Sequence, residues 1–219
     1  MEEEPRSSGS VVRDVQVSGT KLVLATDWSS GIGGDVWTTG MFLCEHFSLH
    51  PFYKTFLQNK KVIELGAGTG LVGIYLARLV SADAIVLTDT ASHLKIMSDN
   101  VALNEGGFLT PVDRVCCSEY DWNESCDQFE DRFDVVVATD VVYSPELYEP
   151  FINALTKSVH EHSVIFLGVT KTDTKPRFFD MLKEGGFIYY KIRDQMVGKD
   201  VGASSNPFGL FVVFRQSNS

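Results

Sequence analysis

Short apolar runs alternate with longer amphipathic segments over most of the 219-residue chain. Seven apolar or β-branched runs predict strands, at residues 62–65, 84–88, 114–117, 133–138, 164–169, 187–192 and 210–215. Helical periodicity in the intervening segments predicts helices at residues 71–79, 92–104, 147–159 and 176–184. Apolar strands that alternate with helices indicate an α/β fold with a doubly wound, seven-stranded sheet. No helix separates the last two runs, so we expect a hairpin and an antiparallel last strand.

The first sixty residues follow a different pattern. Runs at 11–17 and 21–26 flank a Ser-Gly-Thr turn and predict an N-terminal β-hairpin, and a glycine-rich loop then leads into a helix from about residue 36 to 48. Residues 1–10 are acidic, small and polar, and we expect a disordered leader there. Residues 11–219 suit a single domain, in which 11–34 form the hairpin and its loop.

Charge and targeting signals restrict the partners. The formal net charge is −10, whereas proteins that hold nucleic acids by their phosphates usually carry a basic face, so we expect no nucleic-acid partner. An acidic surface favours a basic partner, such as a lysine-bearing protein. No run is long enough for a membrane span, and no secretory or mitochondrial signal is visible. We therefore expect no membrane partner and a cytoplasmic location, with the nucleus as a second one.

Cysteine and histidine positions indicate no metal site. The four cysteines contain no C-x-x-C pair and are typical of free thiols in a reducing compartment. His46 and His50 lie four residues apart, but no acidic residue accompanies them in a metal-binding pattern and Pro51 follows directly. No heptad repeat or long apolar patch is present, so we expect a monomer.

The segment KVIELGAGTGLVGIYLA joins a predicted strand to a predicted helix through a glycine-rich turn. Glycines let the backbone turn sharply and approach a ligand, and the helix N-terminus then faces that ligand. Two frames compete in this segment. Gly68, Gly70 and Gly73 spell the dinucleotide fingerprint G-x-G-x-x-G. Glu64, Gly66 and Gly68 spell the E-x-G-x-G turn that S-adenosylmethionine enzymes use.

Register and charge favour the second frame. A dinucleotide turn places its first glycine directly after the strand; that glycine is Gly66 here, and counting from it puts Leu71 where the third fingerprint glycine belongs. Glu64 would repel a pyrophosphate but suits the ammonium and sulfonium groups of S-adenosylmethionine. Asp89, at the end of the next strand, can accept the ribose hydroxyls of either cofactor. We therefore expect S-adenosylmethionine, with a nicotinamide dinucleotide as the alternative.

The strongest catalytic candidates follow the strand FDVVVA. Asp140 and Tyr143 form a D-x-x-Y segment there, and residues just beyond the carboxyl ends of strands face the ligand crevice of a doubly wound sheet. Enzymes that methylate planar amide or adenine nitrogens commonly carry Asn/Asp-Pro-Pro-Tyr at this place. The missing prolines argue against an adenine or glutamine target.

Five segments occur in the order expected for a known family: VWTTGMFLCEHF, KKVIELGAGTGLVGIYLA, VLTDT, EYDWNE and FDVVVATDVVYSPELYEPFINAL. They resemble the seven-β-strand protein-lysine methyltransferases of the methyltransferase-like 21 group, part of methyltransferase family 16, over about residues 35–159. The resemblance implies the Rossmann-like class I methyltransferase fold, S-adenosyl-L-methionine as cofactor and a protein lysine as methyl acceptor. It also implies a translation elongation factor or a chaperone as substrate, with elongation factor 1-alpha as the first candidate.

The resemblance further implies cofactor contacts at matching positions. Trp37, in the helix before the first core strand, would border the methionine part, Asp89 would hold the ribose, and Trp122 would lie by the adenine. The other implied cofactor contacts are Glu64, Gly66, Ala67, Gly68 and Thr139, the last at a position where many relatives carry alanine.

For the acceptor, the resemblance implies that Asp140 binds the target amine and that Tyr143 walls the lysine channel. A small-molecule or RNA methyltransferase remains an alternative, as does a non-catalytic partner protein that has kept the cofactor fold. The segment 197–207, with two glycines and an Asn-Pro pair, is expected to be a loop that can help to choose the substrate.

Overall fold

The structure is a computed structural model and describes residues 9–124, 129, 133–196 and 208–216. The strands are β1 (Val11–Val17), β2 (Thr20–Thr26), β3 (Lys61–Leu65), β4 (Ala84–Asp89), β5 (Val115–Glu119), β6 (Phe133–Thr139), β7 (Val159–Thr170), β8 (Phe187–Lys191) and β9 (Phe208–Arg215). The α-helices are α1 (Thr38–Leu49), α2 (Phe52–Phe56), α3 (Leu71–Leu79), α4 (Ala91–Asn104), α5 (Tyr148–Ser158) and α6 (Pro176–Glu184).

Strands β3 to β9 form one sheet in the order β5-β4-β3-β6-β7-β9-β8. Neighbours from β5 to β7 are parallel, and β9 is antiparallel to both β7 and β8, so the expected antiparallel last strand is confirmed. The chain moves outward from β3 to β5 and then returns to place β6 on the other side of β3. Ligands of open α/β sheets bind beyond the carboxyl ends of the strands at such a switch point.

Helices cover the sheet on both faces. Successive residues of a strand point to opposite sides, and in β3 this places Val62 in a core with α1, α3 and α4, while Ile63 packs in a second core with α5 and α6. β6 continues both layers with buried valines. Two-sided burial explains why these strands are apolar without alternation.

The N-terminal hairpin of β1 and β2 is held by two asparagines of α4. The Asn100 side chain accepts a hydrogen bond from the Ala25 N–H (2.6 Å) and donates to the Ala25 carbonyl (3.0 Å). Asn104, one turn later, bonds Val23 N–H and C=O in the same way, at 3.0 and 2.7 Å. The two amides thus satisfy the free edge of β2 as a neighbouring strand would. Asn100 also donates to the Thr69 carbonyl (2.9 Å), which ties the hairpin to the glycine-rich turn.

The predicted elements are present, with shifts at their ends. The helix predicted to reach Val159 ends at Ser158, because Val159 is fully buried and pairs with Phe133 as the first residue of β7. The helix predicted from Ser92 begins at Ala91, after Thr90. The pattern does not predict the short helix α2, since its five residues are too few to show a helical period.

Some predictions fall on parts of the chain that the structure does not describe. These are most of the leader (1–8), the loop 197–207 and Cys126. The described cysteines, Cys44, Cys116 and Cys117, are free thiols. Over the described ranges there is no cluster of metal-ligating side chains and no helix long and apolar enough to cross a membrane.

Candidate active site

A cavity of about 590 Å³ opens beyond the carboxyl ends of β3, β4 and β6, at the switch point of the sheet. This volume is typical of pockets for small molecules and cofactors. All ten residues singled out in the sequence line it: Trp37, Glu64, Gly66, Ala67, Gly68, Asp89, Trp122, Thr139, Asp140 and Tyr143. Their assembly follows from topology, because each lies at or just beyond an element end on this edge of the sheet, although their individual roles stay predictions.

The glycine-rich turn has a conformation that favours glycine. Gly66, Gly68 and Gly70 have φ values of +67°, +55° and +80°, in the left-handed region. At Gly68 a side chain would also collide with the backbone, since its Cβ would lie 2.5 Å from the Gly33 carbonyl oxygen. The loop between β2 and α1 therefore lies directly on the turn.

Gly73 allows α3 to pack closely against the sheet, a role that the third glycine of a nucleotide-binding turn commonly has. A Cβ there would lie 2.8 Å from both Glu64 Oε2 and Leu87 Cγ. The first turn of α3 can approach β3 and β4 only because this position carries no side chain. The G-x-G-x-x-G spacing is thus explained by helix packing around a buried glutamate.

Glu64 is the most deeply buried acid of the cavity, with 3% of its surface exposed. Its Oε2 accepts a hydrogen bond from the Gly73 N–H (2.7 Å), in the first turn of α3. Burial raises the pKa of Glu64 from 4.5 to about 8, which the Gly73 N–H opposes and the charge of Asp89 reinforces. A buried carboxyl of this kind gains its charge most readily when a cationic group binds beside it.

Asp89 is held by polar neighbours at both of its oxygens. Its Oδ2 accepts from the Gly68 N–H (2.8 Å), and its Oδ1 accepts from the Thr90 N–H (2.8 Å) and contacts His93 Nδ1 (2.8 Å). Burial acts to raise the pKa of Asp89, but the hydrogen bonds from His93, Gly68 and Thr90 outweigh it and lower the pKa. Asp89 is therefore a fixed, ionised acceptor at the end of β4.

His93 lines the same cavity and is a residue that sequence reasoning missed. The hydrogen bond to Asp89 is the main reason that its pKa is raised, against the opposing effect of burial. The four-residue spacing of Asp89 and His93 across the start of a predicted helix is the signal that could have found it, because residues i and i+4 face each other there.

The two tryptophans of the cavity differ in their surroundings. Trp37 precedes α1 rather than lying in it, is 40% exposed, and donates from Nε1 to the Ile32 carbonyl (2.9 Å). Trp122 packs edge-on against Phe151 (5.3 Å between centroids), and its buried Nε1 has no hydrogen-bond partner within the described part of the chain. Trp122 also borders the turn, since a Cβ at Gly66 would lie 3.4 Å from its ring.

Asp140 and Tyr143 stand at the end of β6. Asp140 has a φ of +57°, and its Oδ1 accepts hydrogen bonds from Thr39 and Thr170, two residues that sequence reasoning missed. Burial raises the pKa of Asp140 in spite of these bonds. Tyr143 is 43% exposed, and its pKa is raised by partial burial and by the negative charges of Asp89 and Glu146.

The charges of the cavity decide what it can hold. Glu64, Asp89 and Asp140 all line it, and none of the described lining residues is lysine or arginine. A pyrophosphate would find acids and no positively charged side chain other than a protonated His93, whereas a ligand with ammonium and sulfonium groups would find complementary charge.

A family model for lysine methyltransferases, methyltransferase family 16, matches residues 16–185. The chain belongs to this lysine methyltransferase family. Its members depend on S-adenosylmethionine, so the cofactor expected from the E-x-G-x-G frame is confirmed at the level of the family. The acidic cavity fits that cofactor, and the dinucleotide alternative is set aside.

Named relatives agree with this assignment. The chain is 31% identical to EEF1A lysine methyltransferase 3 of Xenopus tropicalis, over 74% of this chain and 73% of the relative. It is 32% identical to protein N-lysine methyltransferase METTL21A of the same species, over 82% and 79%. Protein-lysine N-methyltransferase EFM6 of Saccharomyces cerevisiae is 29% identical over 70% of each chain.

Solved structures support the fold. The 16S rRNA methyltransferase RsmC of T. thermophilus, solved with AdoMet and guanosine, superposes with a TM-score of 0.66 at 16% identity, covering 99% of this lysine methyltransferase and 53% of that chain. A ribosomal protein methylase of Lactobacillus delbrueckii gives a TM-score of 0.60 at 16% identity, covering 84% and 81%. At these identities the likeness establishes the class I methyltransferase fold alone.

Proposed function

We propose that this chain transfers the methyl group of S-adenosylmethionine to the Nζ of one lysine in a cytosolic protein, with elongation factor 1-alpha as the first candidate substrate and chaperones as the second. The observation that carries the proposal is Asp140, a carboxylate beyond the end of β6 that lines the cavity beside the exposed Tyr143. The similarity to an EEF1A lysine methyltransferase supports the choice of elongation factor.

The cofactor would be held at the carboxyl ends of β3 and β4. Glu64 would face the ammonium of its methionine part, Asp89 would accept the ribose hydroxyls, and the turn at Gly66, Ala67 and Gly68 would pass beneath it. Trp37 and Trp122 would border its two ends, and the Thr139 backbone would add a contact. When bound, the cofactor supplies an electrophilic methyl carbon on a positively charged sulfur.

The acceptor lysine must reach that carbon as a neutral amine. Because the reference pKa of lysine is about 10.4, roughly one side chain in 2,500 is neutral at pH 7, a handicap of about 4.6 kcal/mol. Asp140 would bind the arriving ammonium and then orient the neutral amine, and Tyr143 would form a wall of the channel. The proton leaves to water, and positioning within an acidic, enclosed channel provides most of the acceleration.

The net charge of the chain supports a protein substrate over a nucleic acid. The chain has a formal charge of −10, and among the described lining residues only a protonated His93 could neutralise a phosphate, since none is lysine or arginine. A basic segment around the target lysine would be attracted to the same cavity. A monomeric enzyme suffices, since one chain supplies every residue of the proposed site.

The test is transfer of label from methyl-tritiated S-adenosylmethionine into a eukaryotic lysate and into purified elongation factor 1-alpha, with and without nuclease. The matched variant is Asp140→Asn, because asparagine also tolerates the left-handed φ of this position. We expect nuclease-resistant label on lysine for the wild type, its loss in the variant, and cofactor affinity within a few-fold. Equal turnover by the variant would contradict the role of Asp140. Label that nuclease removes, or that enters only small molecules, would contradict the protein substrate.

A further inference from the structure

The backbone of Asp140 is fixed by the neighbouring strand. Its φ of +57° is unusual for a residue other than glycine, and its N–H donates to the Gly168 carbonyl of β7 at 2.9 Å. This contact sets the direction in which the side chain leaves the end of β6.

Two threonine hydroxyls then hold the side chain, and both end on the same oxygen. Thr39 Oγ1 donates to Asp140 Oδ1 at 2.8 Å, and Thr170 Oγ1 donates to Oδ1 at 2.9 Å. Thr39 comes from the first turn of α1, and Thr170 is the last residue of β7. The Thr39 backbone N–H also donates to this carboxylate, so the start of α1 contributes both a hydroxyl and an N–H to holding Asp140.

Packing fixes the orientation of Thr39. Its side chain is fully buried, and Gly168 lies so close that a Cβ there would be 2.4 Å from Thr39 Cγ2. The methyl group therefore occupies the space above the glycine, and the hydroxyl points to Asp140. Threonine fits this position because its apolar arm packs on Gly168 while its hydroxyl reaches Asp140.

We propose that Thr39 and Thr170 are positioning residues for methyl transfer, whose hydroxyls hold Asp140 Oδ1 and so orient the carboxylate towards the ammonium of the target lysine. The inference rests on the proposed role of Asp140. Thr39 is not among the described residues that line the cavity, whereas Thr170 is, and both act through the carboxylate.

The same hydroxyls affect the ionisation of Asp140. Burial raises its pKa, while the hydrogen bonds from Thr39 and Thr170 work in the opposite direction. The titratable groups on this side of the cavity are Asp173, whose charge also raises the pKa of Asp140, and Tyr143. Among the described lining residues, those from α1 and β7 include no titratable side chain. Loss of either hydroxyl should therefore raise the pKa of Asp140 further.

The experiment compares Thr39→Val, Thr170→Val and Thr39→Ser with the wild type. Valine keeps the shape and removes the hydroxyl, and serine keeps the hydroxyl. One readout is the pKa of Asp140 from its side-chain ¹³C resonance, assigned by its absence in Asp140→Asn. The other is the single-turnover rate of methyl transfer to elongation factor 1-alpha, or to the lysate protein labelled by the wild type. Thr156→Val, in α5, is the control, because the Thr156 hydroxyl donates to the Ile152 carbonyl of its own helix.

We expect each valine variant to raise the pKa of Asp140 and to lower the rate about tenfold or more, the usual effect of losing a hydrogen bond to a charged group. Thr39→Ser should recover most of the loss, and all variants should keep the cofactor affinity of the wild type. An unchanged Asp140 pKa together with an unchanged rate in both valine variants would overturn the inference. If Asp140→Asn transfers methyl groups normally while the valine variants raise the pKa of Asp140, the two threonines do hold Asp140, but the proposed role of Asp140 in the function is wrong.

Discussion

The buried carboxyl of Glu64 should make the cofactor-free protein less stable at neutral pH than a variant with an amide. Burial raises its pKa from 4.5 to about 8, so the folded chain holds this proton more tightly than the unfolded chain does. The stability that this group contributes is therefore fully present below about pH 4.5 and is lost as the pH rises towards 8.

The magnitude follows from the same two values. Between the unfolded-state pKa of 4.5 and pH 7, the free energy of unfolding falls by about 1.4 kcal/mol per pH unit. The loss is therefore about 3 kcal/mol by pH 7 but less than about 1 kcal/mol by pH 5. Glu64→Gln cannot ionise, and its amide oxygen can still accept the Gly73 N–H that Glu64 Oε2 accepts now. We expect the difference in free energy of unfolding between the variant and the wild type to shift in favour of the variant by roughly 2–3 kcal/mol from pH 5 to pH 7.

Urea unfolding without cofactor at the two pH values measures this difference, with the exposed Glu105→Gln as a control that should show none. Calorimetry of cofactor binding in two buffers measures the number of protons that binding releases. With a pKa of about 8, about nine in ten Glu64 side chains are protonated at pH 7. Binding of the cationic cofactor should therefore release close to one proton from Glu64 in the wild type. Glu64→Gln should release none at this site and should bind the cofactor more weakly. If the free energies of unfolding of Glu64→Gln and the wild type differed by the same amount at pH 5 and pH 7, the raised pKa of Glu64 would be refuted.

Other substitutions test the packing and the charges around the cavity. Gly73→Ala should lower the free energy of unfolding by about 1–3 kcal/mol and weaken cofactor binding, because its Cβ would meet two side chains at 2.8 Å. The control Gly106→Ala should change neither quantity, because nothing lies within 4 Å of its Cβ. Thermal melts measure the stability of both variants, and titration measures their affinity for the cofactor. Asn100→Ala leaves buried backbone groups of the hairpin without partners and should cost at least about 2 kcal/mol in urea, and a neutral result would mean that water replaces the amide. His93→Gln should lower the free energy of unfolding more at pH 6 than at pH 8.5, because the hydrogen bond to Asp89 raises the pKa of His93. The stabilisation by protonated His93 is complete below about pH 6.5 and is lost as the pH rises through the raised pKa. A loss of stability that does not depend on pH would exclude the ionic contribution.

Local features of the chain predict the elements and the edge of the sheet on which the site lies. Apolar strands, helical periods and the turn at Glu64 and Gly66 are local features of the chain. In a parallel sheet the carboxyl ends of the strands share one side, so the order of the elements alone places Asp89 and Asp140 together. The start of β7 is the exception, because buried pairing with β6, rather than local propensity, decides where that strand begins.

Which side chains hold Asp140 depends on the tertiary structure. The hydroxyls on Asp140 come from 101 residues before it and 30 residues after it, and nothing in a threonine's neighbours along the chain marks it as such a partner. The use of Gly73 to admit Glu64 and of Asn100 to bind β2 is equally invisible, because a close approach depends on how two elements meet. Periodicity encodes which face of an element is buried, whereas contacts between distant elements depend on their relative placement, which the assembled core sets.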